Sequence, residues 1–257
     1  MRYDDVCCRC MLGWCQLPMA RAYAYTLYLD EDALFILRRL DMRNPREDSS
    51  ASWFGGTSPS SEHLQALLDC KIVRPQLCEL SIVLRMARDI DGPHIAKGFR
   101  NSLRNVLQQA AQAAPNPETV EDTDMAPTSE LSILEPSATL VAQLRAGDPS
   151  KHLLEIEDFV RPIERIEWAA GDELQLTWGR DGKLTVLARG ERLTEEPIDS
   201  PALTRALFDL YTSESFAVSA AGTRLLSDNA LAMSRAIGLG RPVDEAYFFD
   251  DSDEEER

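Results

Sequence analysis

The sequence predicts an α+β fold with antiparallel strands, and three stretches carry that expectation. In Gly171-Asp-Glu-Leu-Gln-Leu-Thr-Trp178, Leu174, Leu176 and Trp178 alternate with polar neighbours, and Lys183-Leu-Thr-Val-Leu-Ala-Arg189 follows the turn Arg180-Asp-Gly182, which reads as a β-hairpin. Arg21 to Leu29 alternates strictly, with Tyr23, Tyr25, Leu27 and Leu29 on one side and Ala22, Ala24, Thr26 and Tyr28 on the other, as in a central strand. Ser200-Pro201 supplies an N-cap with proline at the first helical position, and Leu203, Ala206, Leu207 and Leu210 recur on one helical face. Half-buried strands alternate with amphipathic helices, and no βαβ unit is legible.

The other elements follow in order. Glu31 to Leu40 carries Leu34, Leu37 and Leu40 at helical spacing, residues 44–61 form a polar Gly/Ser/Pro-rich loop, and Ser61 to Leu68 is a short helix feeding a strand from Leu80 to Met86. After Asp91-Gly92, the helix Pro93 to Leu107 presents Ile95, Phe99, Leu103 and Val106 along one stripe, and Pro149 to Val160 is its mate in the layer. Gln112 to Ser137 is rich in proline and acidic residues without an apolar period and is expected to be a mobile surface insertion. A final amphipathic helix spans Ala220 to Ile237. One domain is therefore expected from 1–111 and 138–240, interrupted by a linker at 112–137 and followed by a disordered acidic tail at 241–257.

The 257 residues carry a formal net charge of −16, with scattered Lys and Arg, which argues against a nucleic-acid partner and an acidic membrane surface. Much of the excess sits in Glu118 to Asp124 and in Asp250 to Glu256, read as solvated segments, the tail also suiting a basic protein partner. No apolar run is long enough to cross a membrane. Met1 to Val6 has neither a signal-peptide core nor a transit-peptide composition, so a cytoplasmic location is expected. Cys7, Cys8, Cys10 and Cys15 crowd together, but their spacing fits no usual zinc pattern and no histidine is near. They are read as small thiols of an edge hairpin, with no metal and no cofactor expected.

Three blocks resemble the chalcone isomerase family. Ser200-Pro-Ala-Leu-Thr-Arg-Ala-Leu-Phe-Asp-Leu-Tyr211 followed by Phe216-Ala-Val-Ser219 is similar to its serine, apolar helix ending in tyrosine, and valine-serine turn. The stretch from Arg9 to Asp30, with Tyr23-Ala-Tyr-Thr-Leu-Tyr-Leu29, resembles its early arginine hairpin and strand, and Leu80 to Arg88 with the helix behind it resembles its central strand and pocket-lining helix. The resemblance implies an open-faced antiparallel sheet with helices packed on one face. The family usually carries further strand residues ahead of the arginine block, so this chain is expected to begin late, and an organelle address is left open.

In the catalytic branch an arginine on the hairpin and a threonine on the next strand face the cleft, while a Tyr and an Asn on the helix polarise a ketone. Here the arginine falls on Arg9, the threonine on Tyr23, and the helix positions near Ile95 and Ser102, with His94 and Asn101 beside them. Neither the Tyr nor the Asn is present, and an oxyanion network without its donors loses orders of magnitude in rate. The fatty-acid-binding branch is similar in pairing an arginine with a tyrosine that grip a carboxylate: a guanidinium fork and a phenol suit that group, and Leu27, Leu84 and Phe99 would wall an acyl chain. The candidate ligand-binding residues are therefore Arg9, Tyr23, Tyr25 and Phe99. The expected function is binding of a fatty acid or similar small amphipathic carboxylate without turnover; the alternatives are an intramolecular lyase of the chalcone isomerase type and a non-catalytic scaffold. The simpler readings are a surface charge for Arg9, strand aromatics for Tyr23, Tyr25 and Tyr28, an exposed first-turn residue for His94, and an N-cap for Ser200.

Overall fold

The structure, a computed structural model, describes residues 7–10, 21–43, 59–114, 136–213 and 230, 231 and 234; of 7–10, 21, 43, 59 and 60 only the backbone is considered. In chain order the elements are β1 (Cys7–Cys10), β2 (Arg21–Leu29), α1 (Glu31–Arg43), α2 (Pro59–Val73), β3 (Leu80–Met86), β4 (Ile90–Asp91), α3 (Gly92–Ala113), α4 (Ala138–Ala146), α5 (His152–Glu164), β5 (Glu167–Trp168), β6 (Glu173–Trp178), β7 (Leu184–Ala188), β8 (Glu191–Arg192) and α6 (Pro201–Thr212). The main sheet runs β1-β2-β3-β6-β7-β8 with every neighbour antiparallel, and β4 and β5 form a small separate ladder.

Register explains the core. Tyr25 lies opposite Leu84, Leu84 opposite Leu174 and Leu174 opposite Ala188; the next rows are Leu27, Ile82, Leu176, Val186 and then Leu29, Leu80, Trp178, Leu184. All of these are buried. Because the side-chain period of a strand is two, this one register puts every large apolar side chain of four strands on one face, and a one-residue slip would expose them all. The other face carries Thr26, Val83, Gln175 and Thr177, half-buried, and the exposed Arg85 and Glu173. Trp178 meets Phe208 of α6 at 5.4 Å between ring centroids, and Tyr25 meets Tyr211 of α6 at 4.9 Å, so α6 lies on the apolar face. Helices α2, α3 and α4 in turn pack on α6. Every residue of α6 from Ala202 to Thr212 is buried.

The hairpin β6–β7 and the alternation of β2 agree with the sequence, and the Ser200 hydroxyl accepts from the Leu203 amide at 3.3 Å as the N-cap of α6. Several boundaries differ. The helix expected over Ser61 to Leu68 is α2, which continues through Val73 and adds Cys70, Lys71 and Ile72 to the buried set. The helix expected to end at Leu107 is α3, which runs to Ala113 on helix-favouring Ala and Gln and so takes in Gln112, where the linker was expected to begin. Helix α4 was not expected: its Ala, Leu and Gln residues favour helix, but only Val141 and Ala146 are buried and no stripe announces it. Helix α5 passes the expected end at Val160 and accommodates Pro162 in its last turn, because Ile163 beyond it is fully buried. Arg189 leaves β7 and stands at φ 54° beside Gly190 at φ 83°, two positive-φ residues that fold β7 tightly back into β8.

Gly92 is required by a close approach. A Cβ there would stand 2.5, 2.5 and 2.6 Å from the backbone oxygens of Ile163, Ile166 and Glu164, so the start of α3 touches the carbonyl end of α5 without room for a methyl group. Most of the expected insertion, the final helix apart from Ala230, Leu231 and Ser234, and the acidic tail lie outside the described residues.

Candidate functional site

The strongest polar constellation on the apolar face stands where the last turn of α6 meets β2, the strand paired with β1. Tyr23 and Tyr25 point inward from β2 because they occupy alternate positions of the same strand as Leu27 and Leu29. Tyr211 comes from α6, one turn beyond Phe208, which anchors that helix face on Trp178. The Tyr23 and Tyr211 hydroxyls are 3.3 Å apart, and the Tyr25 ring tilts against the Tyr211 ring at 57°. All three side chains are at most 3% exposed. The ladder sets Arg9 of the edge strand β1 directly opposite Tyr23, with an irregularity in the pairing just after it.

The candidate residues thus divide. Tyr23 and Tyr25 are brought together, Arg9 is the register partner of Tyr23, and Leu84 is the register partner of Tyr25. Phe99 is buried on α3, its ring meeting Phe159 of α5 edge-on at 5.2 Å and 85°. On α3, Ile95 is buried, Ser102 half-buried, and His94 and Asn101 exposed. The His94 amide donates to Asp91 Oδ1 at 3.3 Å, which is a capping contact. The residue that the list of candidates missed is Tyr211. Its signal was present: Thr204, Phe208 and Tyr211 follow i, i+4, i+7 spacing, a second face beside the Leu203, Ala206, Leu210 stripe.

A second polar cluster lies on another face of α6. Arg205 Nη2 donates to Gln65 Oε1 at 2.8 Å and stands 3.0 Å from Asp69 Oδ1 and 3.3 Å from Asp209 Oδ1. Arg145 of α4 bonds the other Asp209 oxygen at 3.0 Å. Burial pushes the Asp69 carboxyl upward, opposed mainly by the Arg205 charge, and burial pulls the Arg205 guanidinium down. At one end of the central strands β3 and β6, Lys71 Nζ donates to the carbonyls of Pro75, Cys78 and Gly179 and stands 5.0 Å over the Trp178 ring. Burial lowers the Lys71 ammonium and raises the neighbouring Cys78 thiol to about 12, so Cys78 remains an inert thiol. Among the described residues no group of three or more His, Cys, Asp or Glu side chains is placed to hold a metal ion, and no helix is long and apolar enough to cross a membrane.

Neither a protein-family model nor any curated protein matches the chain in sequence. Among solved structures it is similar to a fatty-acid binding protein of Arabidopsis thaliana, a chalcone isomerase-fold protein, with a TM-score of 0.51 and 15% identity over 91% of this chain and 92% of that one. This chain has the chalcone isomerase-like fold. Within that fold the tyrosine cluster joins the two most widely separated blocks of resemblance, the strand of Tyr23 and the helix that ends in Tyr211.

Proposed function

We propose that this chain binds a fatty acid or a similar small amphipathic carboxylate, without turnover, at the junction of β1, β2 and α6. The observation that carries the reading is the paired phenols of Tyr23 and Tyr211, 3.3 Å apart, with an arginine in register opposite the first of them. A carboxylate accepts from both a guanidinium and a phenol, and each such bond to an ion is stronger than a neutral one. The apolar rows running from Tyr25 and Leu84 to Leu27 and Ile82 offer the surroundings an acyl chain needs. The likeness in fold to a fatty-acid binding protein supports the same ligand class.

The test is calorimetric titration with dodecanoate. Arg9→Ala is expected to abolish binding with little change in melting temperature, because a desolvated carboxylate without its cation goes uncompensated. Tyr23→Phe is expected to weaken binding by about 1–2 kcal/mol for one lost charge-assisted bond. Equal affinity in Arg9→Ala overturns the carboxylate clamp. Stereoselective flavanone formation from an added chalcone, faster than in buffer, overturns the absence of turnover.

A further inference from the structure

We infer that Gln65, acting with Arg205, is a positioning residue that sets the rotation of α6 and thereby delivers the Tyr211 phenol to Tyr23. The proposal deepens the carboxylate-binding reading and rests on it for its functional meaning.

Stability alone does not account for the cluster around Arg205. Its side chain is 1% exposed, all of its short contacts converge on the single atom Nη2, and Nε and Nη1 have no acceptor among the described residues. Buried ion clusters of this kind are often matched or bettered in stability by apolar residues of similar size. What the cluster does supply is directional grip. The Gln65 amide holds α6 in two places: its oxygen accepts from Arg205 Nη2 at 2.8 Å, and its nitrogen donates to Thr212 Oγ1 at 3.1 Å. Those two residues are seven apart in sequence, about 10 Å along the axis at the α-helical rise. Thr212 is itself tied to the Phe208 carbonyl at 2.8 Å. The grip is thus continuous with the backbone of the turn that carries Tyr211.

Rotation is the coordinate that matters. Arg205, Asp209 and Thr212 share a face that lies roughly 100° round the helix from the face of Phe208 and Tyr211. A phenolic oxygen extends about 9 Å from the helix axis, so a rotation of about 20° displaces it by roughly 3 Å, as large as the hydroxyl separation itself. Apolar packing resists such turns by shape but sets no bond direction. A hydrogen bond sets one, since it weakens steeply away from its preferred angle.

The experiment uses Gln65→Leu in the full chain. This change cuts both holds yet strands no charge: Arg205 keeps Asp69 and Asp209, and Thr212 keeps the Phe208 carbonyl. Two readouts follow. The nuclear Overhauser effect between the Tyr25 and Tyr211 rings, 4.9 Å apart between centroids in the parent, is expected to fall to less than half. The effects of Tyr23→Phe and Tyr211→Phe on the unfolding midpoint are expected to be non-additive in the parent, where the hydroxyls are 3.3 Å apart, and additive in the Gln65→Leu background. A purely stabilising Gln65 would lower the midpoint and leave both readouts unmoved, and that result overturns the proposal. Should Gln65→Leu fail to fold, Thr212→Val cuts the second hold together with the bond to the Phe208 carbonyl, leaves the Gln65–Arg205 hold in place, and is read in the same two ways. If the parent chain binds no dodecanoate while both readouts respond, the ligand reading fails and the positioning role stands.

Discussion

Replacing Lys71 by Met removes the ammonium that ties the end of α2 to two turns of the sheet. The ammonium is buried and donates to Cys78 O at 2.5 Å, Pro75 O at 3.0 Å and Gly179 O at 3.1 Å, bridging the turn before β3 and the turn between β6 and β7. Met keeps the length of the stem and its contact with the Trp178 ring but has no donor. Three carbonyls left without the ammonium would cost about 1–3 kcal/mol each, and relief from burying a cation returns several kcal/mol, so the net loss is about 2–4 kcal/mol. For a chain of this size that is roughly 4–16 °C in melting temperature. Chemical denaturation followed by tryptophan fluorescence measures it directly. A change below about 0.5 kcal/mol would show that the carbonyls find other donors and refute the idea that this lysine is a clasp.

Two further perturbations test other joints. Gly92→Ala should cost about 1–3 kcal/mol, since its methyl group meets three backbone oxygens at 2.5–2.6 Å rather than a flexible side chain, and a scanning calorimeter should show the drop. Asp172 is held below the usual carboxylate value by the Ala169 amide at 2.7 Å and by Arg189, so its contribution to stability is present above the ordinary value of 3.8 and is lost as the pH falls through the depressed one. Asp172→Asn should therefore melt lower than the parent at pH 6, with the gap closing below pH 4; a gap independent of pH counts against it.

Where burial has two sides, one wet and one dry, the sequence was readable. The strands β2, β3 and β6 each show alternation in the residues themselves, because every second side chain must be apolar and the others need not be. Helix α3 shows its stripe for the same reason. Helix α6 shows only part of its buried surface as a stripe, since a helix enclosed on every side has no solvent face to mark its orientation, and Arg205, Asp209 and Thr212 read like exposed polar residues while being 0–1% exposed. Reading only the Leu203, Ala206, Leu210 stripe hid the face that carries Tyr211. Arg9 and Tyr23 were found through resemblance and turn out to be register partners, and Phe99, named as a wall for an acyl chain, meets Phe159 edge-on. A stripe tells that a residue is buried without telling which neighbour it meets.

The central pairing of β3 with β6 joins residues no nearer in sequence than Arg85 and Glu173, with α3, α4 and α5 strung between them. On a ribosome extending the chain at about 5–20 residues per second, the roughly 90 intervening residues take about 5–20 s to appear. Throughout that interval β3 can pair with β2 but offers its other edge, an apolar strand, to whatever is near. Such long-range closure is also the slow kind, because chain entropy is lost before the contact rewards it. The half of the protein that bears Tyr23 therefore depends on the half that bears Tyr211 for its survival during synthesis as well as for its site. Truncation between α3 and β6 is expected to yield aggregate rather than a smaller domain.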